Sequence, residues 1–215
     1  MLRILSTLFL VSTISFLFSC TAKRVEMPVY EGIDIKDVLS SKNNISAIET
    51  TLSIIFEEDN TRIRGDGVLN VSRNGDLSMR LYSFGFLVFE IISENGTIKS
   101  VPMIDRNKGT ILTYGLRDCL FWWDIKDFEI EEKENNYLLK NLTRKLWIDR
   151  KTMFPIKQII SLEDGRELNI SYENPEKVGD MWYPSKIRIG LLNYSVTLKI
   201  KDISFVLFSF LHESK

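Results

Sequence analysis

The chain has 215 residues, enough for one domain of ordinary size with its own core. Apolar residues make up 44% and charged residues 27%, a balance that excludes a disordered or fibrous chain. A net charge of -1 supplies no basic surface, so no nucleic-acid partner is expected.

The first element is an export signal. Met1-Leu2-Arg3 carries one positive charge, and Ile4 to Phe18 is a 15-residue uncharged run. Such a run has the length of a signal core and falls short of the ~20 apolar residues that cross a bilayer as a helix. It ends in Leu17-Phe18-Ser19-Cys20, which resembles the lipobox of bacterial lipoprotein precursors: an aliphatic residue three places before the cysteine and a small one just before it. Phe18 is bulkier than the residue usual at its place. The resemblance implies removal of residues 1–19, a diacylglycerol on the Cys20 thiol and acylation of the new amino terminus. The mature protein would then be held to membrane lipid through acylated Cys20. An ordinary secreted chain with a cysteine near its cleavage site is the other reading. Thr21, where Asp would signal retention, resembles the sorting rule for delivery to the outer membrane and its periplasmic face.

Residues 20–33 mix charges with Pro28 and Gly32 and lack periodicity, as a flexible tether does. Residues 34–215 read as a single domain. A short helix is predicted over Asp34 to Ser41, with Ile35, Val38 and Leu39 on one side. From Ala47 the period becomes two. Ile48, Leu52, Ile54 and Phe56 fall on one face of a strand, and Ile63, Gly65, Gly67, Leu69 and Val71 on the next. Asn74-Gly75 leads to Leu77, Met79 and Leu81, and Asn95-Gly96 joins Phe86-Ile92 to Ile98; both dipeptides are strong hairpin signals. Asp105 to Asp127 shows no alternation and is predicted as a loop with one or two short helical turns, with Trp122-Trp123 packed on the sheet.

Strands resume at Phe128-Glu131, Tyr137-Leu139, Leu142 with Leu146 and Ile148, Ile156 to Leu162, Leu168 to Tyr172, Ile187 to Leu191, and Val196 to Ile200. The predicted fold class is mainly β: a curved antiparallel sheet of about ten or eleven strands forming an incomplete barrel, with short helices as a lid or plug. Ile203 to Leu211 is almost wholly apolar, which fits a strand buried on both faces or an exposed edge.

Chemistry finds little to work with. The single histidine, His212, assembles no Ser-His-Asp or Cys-His arrangement, and no metal ligands, cofactor motif or catalytic residues are nominated. Gly65-Asp66-Gly67 lacks the Lys-Ser/Thr of a phosphate loop. Cys119, in Leu116-Arg117-Asp118-Cys119-Leu120-Phe121, reads as a small core side chain rather than a nucleophile. Six Asn-X-Ser/Thr triplets, at Asn44, Asn70, Asn95, Asn141, Asn169 and Asn193, read as accidental in a bacterial chain.

Three stretches resemble, in order and spacing, the lipoprotein carriers LolA and LolB and their relatives. They are Gly67-Val68-Leu69-Asn70-Val71 with Leu77-Ser78-Met79-Arg80-Leu81 and Gly85-Phe86-Leu87-Val88-Phe89; Leu146-Trp147-Ile148-Asp149 with Phe154-Pro155-Ile156-Lys157; and Tyr172-Glu173 with Gly179-Asp180-Met181-Trp182-Tyr183-Pro184. The resemblance implies an incomplete barrel with an apolar cavity that accepts acyl chains, lipoproteins as cargo and a soluble periplasmic carrier as partner. Residues expected to line that cavity are Ile54, Phe56, Leu69, Met79, Leu81, Phe89 and Ile91, with Trp122 and Trp123 near its mouth; the same residues could equally fill a closed core. Phe84, Gly85, Phe86 and Leu87 match a protruding loop of the membrane-anchored member that aids transfer to the bilayer, and inward-folded rings are the alternative. The expected function is reception or insertion of lipoproteins at the outer membrane. Rivals are carriage of another lipid, a structural subunit of an envelope complex, and an unrecognised enzyme.

Overall fold

A computed structural model describes residues 27–30, 32–59 and 61–208. The signal segment, Cys20, most of the tether and His212 lie outside them. The predicted short helix is present as α1 (Ile35–Ser40), started by Asp34, whose side chain accepts a hydrogen bond from the Lys36 backbone N–H at 2.8 Å. No helix among the described residues is long and apolar enough to cross a membrane.

Twelve strands follow, one or two more than the alternation suggested. The first meander is β1 (Ile45–Glu58), β2 (Thr61–Ser72), β3 (Leu77–Ser83), β4 (Phe86–Glu94) and β5 (Thr97–Val101). The second is β6 (Glu129–Glu132), β7 (Asn136–Lys140), β8 (Arg144–Asp149), β9 (Pro155–Ser161), β10 (Glu167–Val178), β11 (Met181–Leu191) and β12 (Tyr194–Leu207). All pair antiparallel in one sheet, in the order β5-β4-β3-β2-β1-β12-β11-β10-β9-β8-β7-β6. The first and last strands are thus central neighbours, while β5 and β6 are free edges. The sheet stays open, as an incomplete barrel does.

Between the meanders the predicted short helical turns join into one continuous stretch: α2 (Arg106–Thr110), a π-helical turn (Ile111–Gly115) and α3 (Leu116–Leu120). Asp105 caps it, its carboxylate accepting from the Asn107 and Lys108 backbone N–H groups at 2.9 and 3.0 Å. Ile111, Leu112, Leu116, Cys119 and Leu120 bury one side of it. They meet the inward-facing positions of the sheet, among them Ile48, Leu69, Met79, Ile91, Leu146, Ile170, Ile187 and Leu198, in one continuous core. The helix therefore plugs the half-barrel.

Polar ties hold the end of the plug. Asp124 is buried between two guanidinium groups: Arg73 Nη2 lies 2.9 Å from it, and Arg117 bonds its other oxygen. Burial alone pushes the Asp124 carboxyl up, but hydrogen bonds and charge from Arg73 and Arg117 outweigh it and hold the group below its ordinary value of 3.8. The unfolded chain therefore takes up this proton more readily than the folded one. The stability Asp124 contributes is complete above about pH 5 and is lost as pH falls through the lowered folded value. Asp124→Asn is expected to cost about 2 kcal/mol near neutral pH, with a smaller deficit at low pH. Urea midpoints of both proteins at neutral pH and near pH 3 check this; an equal deficit at both would reject the ion pairs as its source.

The described part of the apolar C-terminal segment runs along β1 only. Pairing of β12 with β11 ends at Lys199↔Lys186, whereas pairing with β1 continues from Ile200↔Leu52 to Leu207↔Ile45. Ile203 is buried there, and Val206, Leu207 and Phe208 are exposed.

Candidate functional site

Ile54, Leu69, Met79, Leu81 and Ile91 all lie buried on the concave face of the sheet, and Phe56 and Phe89 pack against them half-buried. Helix and sheet close on these side chains, and none of them borders a described cavity. Trp122 and Trp123 are also buried. Their rings meet edge to face, 5.6 Å apart at 88°, and occupy the wedge where β11 and β12 part. About 10 Å³ is left between both rings and Cys119, Tyr183, Pro184, Ile200, Ile203 and Phe205, and the Trp123 side also borders an open hollow of about 450 Å³ with Leu39, Arg73 and Phe128. The Lys42 ammonium lies 5.8 and 5.4 Å from the two indole centroids, and burial lowers its pKa to about 8. Cys119 is buried with its thiol directed to the Leu116 carbonyl at 3.2 Å, and burial pushes its pKa up, the opposite of an activated nucleophile.

The open space lies at the unclosed side of the half-barrel. A groove of about 880 Å³ runs between β5, the N-terminal half of the helix and the β9–β10 turn. This volume is within the ~300–1,000 Å³ of small-molecule sites. Ile98, Met103, Ile104, Tyr114, Ile160 and Leu162 supply its apolar wall. Gly109, Thr110 and Thr113 form its floor, along the start of the π-helical turn. At its border Arg166 bonds the Asn107 side chain and sits 2.5 Å from Asp164, whose carboxyl that contact lowers to about 2. Lys99, Asp105, Arg106, Asp118 and Glu163 line the groove as well, so it pairs an apolar wall with a charged one.

Ile104, Gly109, Thr110, Thr113 and Tyr114 escaped the sequence reading as groove residues because they come from or border an interval without alternation. The available signal was helical spacing, with Ile111, Gly115 and Cys119 four apart and Leu112, Leu116 and Leu120 beside them.

The hairpin between β3 and β4 is exposed and apolar. Phe84 is 99% exposed, and Phe86, Leu87 and Val88 follow it into solvent. Phe84 and Gly85 have φ of 51° and 83°, a left-handed pair that favours Asn-Gly and is unfavourable for a bulky aromatic residue. The pairing Glu90↔Val101 sets Val101, the end of β5, beside the middle of β4, and Met103 follows two residues later. Both are strongly exposed, and Met103 also lines the groove. Groove mouth and hairpin tip therefore share one edge of the sheet. No group of three or more His, Cys, Asp or Glu among the described residues could hold a metal ion.

No family model and no curated protein matches the sequence. Solved structures do match the fold. A DUF1329 family protein from Desulfovibrio piger superposes with a TM-score of 0.56 at 9% identity, covering 84% of this chain and 94% of its own. A LolA superfamily protein from Nitrosomonas europaea gives 0.51 at 11% identity, covering 83% and 96%. An outer membrane lipoprotein-sorting protein domain, described as putative, from Vibrio parahaemolyticus gives 0.51 at 12% identity, covering 80% and 90%. The open twelve-stranded sheet around its plug helix is thus a LolA-like fold.

Proposed function

We propose that this chain is an envelope lipoprotein, held at the periplasmic face of the outer membrane through acylated Cys20, that takes acyl chains into its groove and receives or inserts lipoproteins there. A soluble carrier of similar fold is its natural donor. The reading assigns no catalysis, cofactor or metal. The observation that carries it is the apolar groove opening beside the exposed Phe84 hairpin, so that a chain leaving the groove emerges where aromatic side chains already stand in solvent. Each methylene that enters the groove gains about 0.8 kcal/mol by leaving water, without a polar recognition code. The lipoprotein-sorting domain of like fold supports the assignment of cargo.

Displacement of a fluorescent fatty acid by palmitate tests it. Gly109 faces the groove, and a Cβ there would meet nothing nearer than Ile104 Cδ1 at 3.9 Å. A Cβ therefore fits there, and Gly109→Leu puts a side chain into the floor and favours the helix by up to ~1 kcal/mol. It is expected to weaken fatty-acid binding about tenfold, or ~1.4 kcal/mol, while leaving the fold at least as stable. Binding unchanged in the variant would move the site elsewhere. No binding by the parent would favour a structural subunit with a filled core. Mass spectrometry of the mature amino terminus tests acylation of Cys20 separately.

A further inference from the structure

The sheet ends in two strands of opposite character. β6 carries Glu129, Glu131 and Glu132 among its four residues, and residues 32–36 of the same chain share a hollow of about 390 Å³ with its Ile130 and Glu132. Charge and cover of this kind keep a free edge from pairing with other chains. β5 carries one charge, Lys99, and its free side opens on the groove, which Ile98, Lys99 and Ser100 line. Its sequence, Thr97-Ile98-Lys99-Ser100-Val101, is rich in the β-branched residues that favour strands, yet none of its side chains joins the core. Ser100 is half-buried and the other four residues are exposed.

The register of β5 decides which of its backbone groups are free. Asn95-Gly96 is a two-residue turn in left-handed backbone, and such a turn closes on a pair that exchanges both hydrogen bonds, here Glu94↔Thr97. Pairing then runs to Glu90↔Val101 without a shift. Alternation therefore turns the N–H and C=O groups of Thr97, Lys99 and Val101 toward β4, and those of Ile98 and Ser100 away from it, to the side of the groove. The edge thus offers donors and acceptors at the spacing of a strand, beside an apolar wall.

We propose that β5 accepts an additional strand: the extended peptide that follows the acylated cysteine of a cargo lipoprotein pairs with Ile98 and Ser100 while the acyl chain lies in the groove. This rests on the function proposed above, and it adds a site for the protein part of the cargo. Strand addition recognises backbone, so it serves cargoes of unlike sequence, as the groove serves any acyl chain. Continuity selects the occupant. Peptide and acyl chains leave the same cysteine, so a chain seated in the groove brings the first residues of the peptide to this edge. Charge turns away a second copy of the protein, because any fully overlapped pairing of β5 with another β5, parallel or antiparallel, sets Lys99 beside Lys99. A neutral or acidic residue beside Lys99 meets no such repulsion.

The test uses the full lipidated chain in nanodiscs of phosphatidylethanolamine and phosphatidylglycerol. The probe is a cysteine octanoylated on its amino group and followed by a short run of valine, serine and threonine. Hydrogen exchange is read residue by residue. The probe is expected to slow exchange of the Ile98 and Ser100 amides about tenfold or more, and to change Thr97, Lys99 and Val101, already bonded to β4, several-fold less. A second probe, N-methylated at every residue after the cysteine, keeps the acyl chain and loses the donors; it is expected to bind about tenfold more weakly. Equal affinity of the two probes would overturn strand addition. Unchanged exchange at Ile98 and Ser100, with palmitate still displacing the fluorescent fatty acid, would overturn it too and leave the acyl-chain carrier standing. Slowing of those two amides with rising protein concentration and no probe would overturn it in favour of a second copy. Slowing by the unacylated peptide, with no fatty-acid binding, would uphold pairing at this edge and remove the acyl-chain reading of the groove.

Discussion

Arg144→Met is expected to lower stability by about 3–5 kcal/mol, as several buried oxygens each lose a charged donor at roughly 1–3 kcal/mol. Arg144 starts β8 and is only 7% exposed. Among the described residues it has no carboxylate partner. Its guanidinium instead donates to Gln158 Oε1 at 2.9 and 2.6 Å, and to the carbonyls of Asp124, Asp118 and Trp122 at 3.0, 3.1 and 3.1 Å. Those carbonyls belong to the last turn of the plug helix and the loop after it, where the helix leaves acceptors without intrahelical partners and a cation is favoured. Gln158, fully buried on β9, adds its own amide to Asp118 O at 3.0 Å. One side chain thus ties the helix end to two strands. Methionine fills most of the volume but donates nothing, so four buried oxygens lose a donor. At roughly 2–4 °C per kcal/mol for a domain of this size, the thermal midpoint followed by circular dichroism should fall by about 10 °C or more. Arg144→Lys, which keeps the charge and loses the planar fork, should fall between the two. A change of less than about 1 kcal/mol in Arg144→Met would show that water replaces the network.

Gly65→Val should cost about 3 kcal/mol, as overpacking against backbone does. Gly65 faces inward on β2, and a Cβ there would lie 2.6 Å from the Tyr82 carbonyl oxygen and 3.0 Å from Leu81 Cδ1. The carbonyl cannot retreat without loosening the Asp66↔Tyr82 pairing of β2 with β3. Glycine in a strand interior marks a tight bend, and here it lets β3 and β4 curl over the concave face. Gly67→Ala, with Arg80 O at 3.0 Å, should cost less. Urea midpoints rank the three proteins; a Gly65→Val midpoint within error of the parent would mean the bend does not need the glycine.

Much of the first meander was legible because each strand carries a period of two and each turn its own chemistry. Leu69, Met79 and Ile91 are buried where alternation puts them, and Asn95-Gly96 turns in the left-handed conformation its sequence favours. The plug helix was legible only as one or two short turns, not in its full length. Gly109, Thr110, Thr113 and Gly115 lower its helical propensity, and the contrast that normally marks an amphipathic stripe is weak. Leu142 misled for a related reason: alternation with Leu146 and Ile148 suggests a strand position, but Asn141 captures the backbone in a turn first. The exposed hairpin was foreseeable from Ser83-Phe84-Gly85-Phe86, whereas the groove joins segments distant in the chain, and no local pattern encodes their meeting. The packed state of the predicted lining residues depends on helix–sheet distance in the same way.

The pairing of β1 with β12 has a kinetic consequence. Each meander consists of neighbours in the chain and is quick to close, but the seam between them joins residues as far apart as Thr50 and Asp202, whose 2.7 Å hydrogen bond spans 152 positions. Closing so long a loop must precede any return from the contacts it allows, which places the domain among slow, high-contact-order folders. Until the last strand arrives, β1 presents an unpaired, apolar edge from the middle of the future sheet. A newly made chain is therefore open to wrong strand partners until β12 has emerged, and loss of β12 would open the centre of the sheet, not trim its border.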